Sequence, residues 1–342
     1  MSADKSPFSG TVNSSEKVVE NILRPKQFAD FPGQDRIKEN LHIYIEAARR
    51  RHEPLDHMLL SGPPGLGKTT LAGIVANAMG ATLRATSGPA LERPADLAGI
   101  LTNLKEGDIL FIDEIHRLGT VVEEYLYAAM EDWAIDIVME AGVYAQSVRL
   151  TLPRFTLVGA TTREGLLTAP FRARFGIVER LDYYPPEDLA RILARSAIIL
   201  NVPMDGKAAL ALAQNSRGTP RVANRFIARA RDVAQVLGNG TITPEVAAKT
   251  LSMLGVDDNG LIEMDRRILV AINDHGGGPV GVKTIAVTVG ESEDTIENVY
   301  EPYLIQRGLL QKTPQGRKLS PRAYDLMGFG PEPGAVGSRP LF

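Results

Sequence analysis

The densest chemical signal in the chain is Gly62-Pro63-Pro64-Gly65-Leu66-Gly67-Lys68-Thr69-Thr70. Its glycines let consecutive backbone N–H groups turn toward an anion, and a helix leaving the loop adds the positive end of its dipole. In this G-x-x-x-x-G-K-T spacing Lys68 reaches the β- and γ-phosphates of a nucleotide, and the Thr69 hydroxyl suits Mg²⁺. The spacing carries that meaning when a strand enters the loop and a helix leaves it.

A second constellation is Asp113-Glu114, at the end of the apolar run Ile109-Leu110-Phe111-Ile112. Asp113 suits the water shell of Mg²⁺. Glu114, one residue past the strand end, is placed to polarise an attacking water. A carboxylate pair that merely starts a helix would look the same, and it is the upstream phosphate loop that favours hydrolysis. Thr161-Thr162-Arg163 ends a third apolar run, Phe155–Ala160. The Thr162 hydroxyl would face the same sheet edge and could bond the γ-phosphate or the water, or cap the next helix. His116 reads as an ordinary polar residue. Arg172 and Arg174 present planar donor forks, suited to phosphate or simply to solvent at a helix end. In a ring of subunits one of them could act on the neighbour's nucleotide as an arginine finger. Arg217, Arg221, Arg225 and Arg229 recur every four residues, the usual mark of a solvated basic stripe. Arg221 stands apart because it follows the helix start Gly218-Thr219-Pro220, where it could bridge a nucleotide bound between two domains, although the spacing alone does not select it over Arg225.

Holding these loops at one edge requires a sheet. Strands at 57–60, 109–113 and 155–160 are apolar along their length and alternate with helical stretches, which predicts a parallel sheet covered on both faces. The helix over Asp35–Ala48, with Asp35 as its cap, carries Ile37, Leu41, Ile45 and Ala48 on one face. The fold class is therefore α/β, with a large ATPase domain over 21–184 after a loose segment, 1–20. Tyr183-Tyr184-Pro185-Pro186 breaks the pattern. Residues 185–255 read as a small all-helical domain, and 257–262 as a polar linker. Residues 256–342 read as three helices and a hairpin, the pattern of a winged-helix domain, ending in a loose Gly- and Pro-rich tail.

Composition narrows the function. The 342 residues carry 38 Lys+Arg and 41 Asp+Glu, a net charge of −3, so a uniformly basic nucleic-acid coat is excluded and a local basic face is not. There is no cysteine, which removes disulfides, thiolate metal sites and cysteine nucleophiles. Apolar residues make up 44%, enough for a large core, yet no run approaches the roughly 18 residues of a membrane span. With no apolar signal core near the start, a cytoplasmic location is expected.

Taken together, LRPK at 23–26, SGPPGLGKTTLA at 61–72, LTNL at 101–104, LFIDEIHRL at 110–118, AMED at 129–132, GATTR at 159–163, FRARFG at 171–176, GTPRVANR at 218–225 and EPYLIQRGLLQKTPQGR at 301–317 resemble the RuvB family of AAA+ P-loop ATPases. These are bacterial motors of Holliday-junction branch migration, and the resemblance covers nearly all of the chain outside its two tips. It implies ATP/ADP and Mg²⁺ as ligands. Gly65, Gly67, Lys68, Thr69 and Thr70 would form the phosphate loop, Asp113 and Glu114 the Walker B pair, and Thr162 sensor 1, where most of the wider superfamily has Asn. Arg174 resembles the trans-acting finger ahead of Arg172, and Arg221 resembles sensor 2. Leu23, Arg24 and Tyr184 match nucleotide-holding positions, and Glu131, Asp132 and Trp133 a further nucleotide-adjacent stretch.

The same resemblance implies a small helical lid, a DNA-contacting winged head, and a homo-oligomeric ring, a hexamer, around duplex DNA. A protruding hairpin over 134–152 would contact a RuvA-like junction-binding protein, with a RuvC-like resolvase in a larger complex on Holliday junction DNA. The alternation Ile135, Ile137, Met139 and Val148, Leu150, Leu152 fits either a partner patch or a hairpin packed on its own domain. In the head, 303–323 holds Arg307, Lys312, Arg317, Lys318 and Arg322 with no acidic residue, although 256–342 as a whole is more acidic than basic. That polarity fits backbone contact through Lys312 and Arg317. Lys312 and Gln315 stand where the family commonly has Arg. A clamp-loader subunit would lack the winged domain, an unfoldase usually has an aromatic pore loop, and a sequence-reading regulator is a poor match to the acidic helix over 291–301.

Overall fold

In this computed structural model, which describes residues 14–138 and 147–330, the expected apolar runs become the middle of a sheet. Strands β1 (Met58–Ser61), β2 (Leu83–Ser87), β3 (Ile109–Asp113), β6 (Thr156–Thr161) and β7 (Ile177–Arg180) pair in the order β2-β3-β6-β1-β7. All four pairings are parallel. β1 and β6 are buried throughout, as expected of strands covered on both faces. β2 and β7 are the edges. β2 is half exposed and β7 alternates in and out, so neither forms the unbroken apolar run that marks the other three. Ser61 pairs with Thr161, and Ser87 with Asp113, so the polar ends of four strands meet at one edge.

Helices α2 (Asp35–Arg51), α3 (Lys68–Met79), α4 (Pro94–Leu101) and α5 (Thr120–Asp132) belong to this α/β unit. α2 buries Ile37, Leu41, Ile45 and Ala48, the face set by their spacing. The expected cap is corrected: Gln34, in left-handed conformation, is the N-cap, and Asp35 is the first helical residue, paired with Lys38 at 2.7 Å. The core gathers Phe111, Phe155 and Phe171 with leucines from strands and helices.

Strands β4 (Ala134–Val138) and β5 (Ser147–Thr151) form the antiparallel hairpin. Ile135 and Leu152 are buried in the core and Leu150 packs against it, whereas Val148 is exposed. The root is thus packed on its own domain. Met139 and the expected turn Glu140-Ala141-Gly142 lie outside the described residues.

By contact the chain forms two units. One contains residues 20–192 together with Thr219–Arg221; the other contains Leu193–Gly218 and continues from Val222. The second unit holds α8 (Gly206–Gln214), most of α9 (Pro220–Leu237), α10 (Pro244–Met253) and the whole head. The expected polar linker at 257–262 forms a hydrogen-bonded turn. Asp257 Oδ1 accepts from the amides of Asn259 and Leu261 at 2.8 and 2.9 Å, and Leu261 and Ile262 are buried.

The head begins with α11 (Glu263–Asp274) and α12 (Val282–Val289). A helical segment over 293–306 then includes one wide turn, a π-helix at Ile296–Tyr300. Pro302 lies two residues beyond its end: it has no N–H to donate, and its ring displaces the carbonyl four residues back, so the backbone widens there. The wing is β8 (Leu310–Thr313) and β9 (Gly316–Leu319), braced by paired Val280–Arg317 backbone bonds of 2.9 and 2.8 Å.

Candidate nucleotide site

The phosphate loop leaves β1 and enters α3, whose first residue is Lys68. Gly62, Gly65 and Gly67 all have positive φ, at 132°, 79° and 100°. A Cβ on Gly62 would lie 2.4 Å from the Leu181 carbonyl oxygen, so this turn excludes any side chain. Lys68 is buried, and its ammonium donates to the carbonyls of Gly62 at 2.7 Å and Pro63 at 3.0 Å. Burial pushes the Lys68 pKa down, opposed by the nearby Glu114 and Asp113 carboxylates. The result is a positive charge held in a loop of left-handed turns at a helix start, an arrangement suited to phosphate.

Asp113 closes β3, and its Oδ1 accepts the Glu114 amide at 3.0 Å. Glu114 sits in left-handed conformation, φ 48°, a strained backbone for a residue with a side chain. Its Oε2 accepts from the Thr162 hydroxyl at 3.2 Å and lies 3.3 Å from His116 Nδ1. His116 Nδ1 is also 2.9 Å from Thr161 Oγ1, which in turn accepts the Arg163 amide. His116 therefore belongs to the site. Its reading as an ordinary polar residue is revised, and the signal was its place one turn beyond the strand-end carboxylates. Burial pushes the His116 pKa down, partly offset by Glu114. From the other side, Gly88 presses on the same strand end: a Cβ there would lie 2.5 Å from the Glu114 carbonyl oxygen.

Further residues frame the loop. Tyr184 is buried and donates to the Leu66 carbonyl at 3.2 Å. Burial pushes its phenol up, so it remains a donor. The Arg221 amide reaches the Gly65 carbonyl at 3.4 Å, and its side chain packs where a Gly65 Cβ would point. Arg221 and Arg24 both pair with Glu20, each at 3.6 Å, and the neighbouring Leu23 is buried. The Phe31 ring lies where a Gly67 Cβ would point, a contact that sequence reading missed because nothing in FPGQ announces it. Thr69 and Thr70 occupy the first turn of α3.

Other expected site residues lie elsewhere in this chain. Trp133 packs with His57 and Phe155, which precede β1 and β6, so it occupies the sheet edge opposite the phosphate loop. Glu131 and Tyr127, on α5, both accept from Arg174, the former at 2.7 Å. Asp132 pairs with Arg149 of the hairpin at 2.9 Å, and Arg172 is 3.8 Å from Glu164. This chain therefore does not gather Glu131, Asp132, Trp133 and Arg174 around its own phosphate loop.

The basic stripe and the wing also need correction. Arg217 precedes α9 and is buried against Asp265, while Arg229 pairs with Asp232 at 3.0 Å. Arg317 is not a free wing cation. Its side chain is 9% exposed and forms two bonds of 2.9 Å with Glu301 and one of 2.7 Å with Glu297. The acidic helix and the basic wing neutralise one another, with Lys312 at 3.6 Å from Glu297 while remaining 56% exposed. Lys312 keeps its place on the outer face; Arg317 holds the wing to the helix.

Three family models match the chain in tandem. They are described as the Holliday junction DNA helicase RuvB P-loop domain over residues 23–181, the RuvB AAA lid domain over 184–257 and the RuvB C-terminal winged helix domain over 258–328. A curated relative from Salinibacter ruber, the Holliday junction branch migration complex subunit RuvB, is 59% identical over 312 residues, covering 91% of each chain. A solved structure from Thermotoga maritima, described as the RuvB Holliday junction branch migration motor, is 45% identical with a TM-score of 0.82. It covers 90% of this chain and 99% of that one. A mutant of the Thermotoga protein superposes with a TM-score of 0.83 at 46% identity, over 90% of this chain and 99% of its own. Among the described residues no helix is long and apolar enough to cross a membrane.

Proposed function

Because the chain belongs to the RuvB family, whose models span its P-loop, lid and winged-helix regions, we infer that it is an ATP-driven motor of Holliday-junction branch migration acting within a complex. The observation that carries this reading is the meeting of Lys68, Asp113, Glu114 and Thr162 at one sheet edge beside a loop of left-handed glycines. Thr69 and Asp113 are a hard-oxygen pair of the kind that holds Mg²⁺ together with substrate phosphates. When bound, Mg²⁺ would neutralise charge on the phosphates.

The chain's own groups divide the work. Lys68 and the loop amides bind the phosphates, with Arg221 and Tyr184 holding the loop's outer wall. Glu114 is the general base that orients water toward the γ-phosphate, and Thr162 sets its carboxylate. Hydrolysis gives ADP and phosphate. Arg174, with Glu131, Asp132 and Trp133, serves a neighbouring subunit's nucleotide in a homo-oligomeric ring, a hexamer. Their distance from this chain's own loop supports that role. The Ile137 and Val148 portion of the hairpin meets a RuvA-like partner, with a RuvC-like resolvase in a larger complex. Lys312 and the outer wing contact the phosphate backbone of duplex DNA, sequence-blind as a travelling motor requires.

The test is ATP-dependent migration of a synthetic four-way junction with a RuvA-like partner. The wild-type chain moves the junction and Lys68→Ala does not. A chain that hydrolyses ATP but never moves a junction would refute the reading.

A further inference from the structure

Between the helical lid and the winged head lies a buried ion pair that the ATPase chemistry does not use. Arg217 ends the lid segment that follows α8, and Asp265 lies in the first turn of α11 in the head. Both are buried, with side chains 5% and 0% exposed, and Arg217 donates to Asp265 Oδ2. The guanidinium also stacks over the Tyr303 ring, its carbon 4.3 Å from the ring centre. The Tyr303 hydroxyl donates to the Gly260 carbonyl at 3.0 Å, and Asp265 accepts the Ile262 amide at 2.9 Å. A Cβ on Gly260 would lie 2.7 Å from that hydroxyl and 3.1 Å from Asn215 Oδ1, so a side chain there would displace members of the cluster. One cluster therefore ties the end of α8, the turn at 257–262, the start of α11 and the helix carrying Tyr303.

Two features make this more than packing. Arg217 holds a left-handed backbone at φ 53°, a strained conformation that persists only where surrounding contacts over-determine it. It is also separated by Gly218 alone from Thr219–Arg221, the three residues that group by contact with the phosphate-loop unit. A buried ion pair is weak evidence for stability, because well-packed apolar residues often serve as well. In some proteins such a pair serves instead to select one geometry.

We propose that Arg217, through Asp265 and Tyr303, is a positioning residue that locks lid and head into one body, so that movement at Thr219–Arg221 reaches the DNA-contacting head undiminished. The idea rests on the motor reading, and it assigns the transmission to a named joint rather than to the hydrolytic site. Arg217 touches neither substrate nor the reacting atoms. Its effect passes through the head helix that begins at Glu263 and through the helix that carries Tyr303.

The chain has no cysteine, so two labels can be placed without background. Val236 on the lid and Val287 on the head are each 78% exposed, and the doubly substituted chain V236C/V287C carries one spin label in each part. With the joint intact, the distance between labels is single, narrow and the same with ADP and with a non-hydrolysable ATP analogue. Asp265→Asn broadens it, leaves DNA-free ATPase within about twofold of wild type, and lowers branch migration per ATP by about tenfold. A wild-type distance that shifts between nucleotides overturns the proposal, as does a folded Asp265→Asn chain that migrates junctions normally per ATP. Should Asp265→Asn fail to fold, Tyr303→Leu takes its place, and the wild-type distances still decide. If the wild-type chain neither hydrolyses ATP nor moves a junction, the motor reading has failed; the distances continue to report the joint.

Discussion

The Thr162 hydroxyl donates to Glu114 Oε2 across 3.2 Å, joining the end of β6 to the residue that follows β3. The carboxylate proposed to orient water is thereby held by a neighbour able only to bond it, not to replace it. Glu114→Gln should bind ATP and hydrolyse it more slowly by about 10²–10⁴-fold, the usual worth of a general base. Thr162→Val should cost less, on the order of tenfold, because it removes one orienting bond. Phosphate release at saturating ATP measures both. Near-normal turnover in Glu114→Gln would end the general-base assignment.

Arg174 already bonds Tyr127 and Glu131 on its own chain. From the proposed role across subunits, Arg174→Ala should keep nucleotide binding and lose about 10³-fold in turnover, as removal of an arginine finger does. Mixing Arg174→Ala with Lys68→Ala subunits should recover part of the activity, since some interfaces then hold both residues. Verified mixed rings that stay as inactive as either parent would leave the trans role without support.

Arg317 and Lys312 should part company in a salt titration. Truncating Arg317 leaves the buried Glu301, whose side chain is 3% exposed, with Lys312 at 3.8 Å as its remaining cation, at a cost of up to about 3–5 kcal/mol to the head. Arg317→Ala should therefore lower the melting temperature, and duplex binding should fall because the wing is misplaced. Lys312→Ala should leave melting nearly unchanged and lower the slope of log affinity against log salt by up to about 0.9. The two effects exchanged between the two residues would reverse the assignment.

Val148 is an exposed apolar residue of the hairpin, 41% accessible and paired in register with Ile137. Val148→Asp should weaken capture of a RuvA-like partner by about tenfold and leave DNA-free ATPase intact. Equal affinity would place the partner surface elsewhere.

Acid sensitivity should trace to His57. Its Nδ1 accepts the Leu157 amide at 2.9 Å, a role only the unprotonated nitrogen can fill. Burial holds its pKa below the free value of 6.5. As pH falls, protons bind the unfolded chain first. His57's contribution is thus complete above about 6.5, declines below it, and is gone once the folded pKa has been passed. His116 shifts in the same direction, so His57→Gln should flatten part of the loss of melting temperature between neutral and mildly acidic buffer. An identical pH profile in the variant would acquit His57.

Sequence showed what local chemistry dictates. The phosphate loop, the carboxylates at 113–114 and the three central strands follow from glycine spacing and unbroken apolar runs. The edge strands at 83–87 and 177–180 did not show themselves, because an exposed edge needs no apolar run. Nor could spacing tell that Arg217 turns inward to Asp265 while Arg229, three turns on, meets solvent. Arg317 looked like a phosphate ligand because its partners Glu297 and Glu301 are distant in sequence and come into reach only when the wing folds back on the helix. The contact between His116 and Glu114 is likewise set by the turn after β3, through a left-handed residue that no pattern of residue types predicts.

Gly88 bears on how this site can vary over generations. With 2.5 Å between its missing methyl and the Glu114 carbonyl oxygen, even alanine there would push the backbone of the residue proposed to orient water. Its neighbours on the β2 edge, Arg84 and Ala85, are exposed and free to drift in size. A saturation library read by junction migration should therefore show a tolerant edge strand ending abruptly at one intolerant glycine.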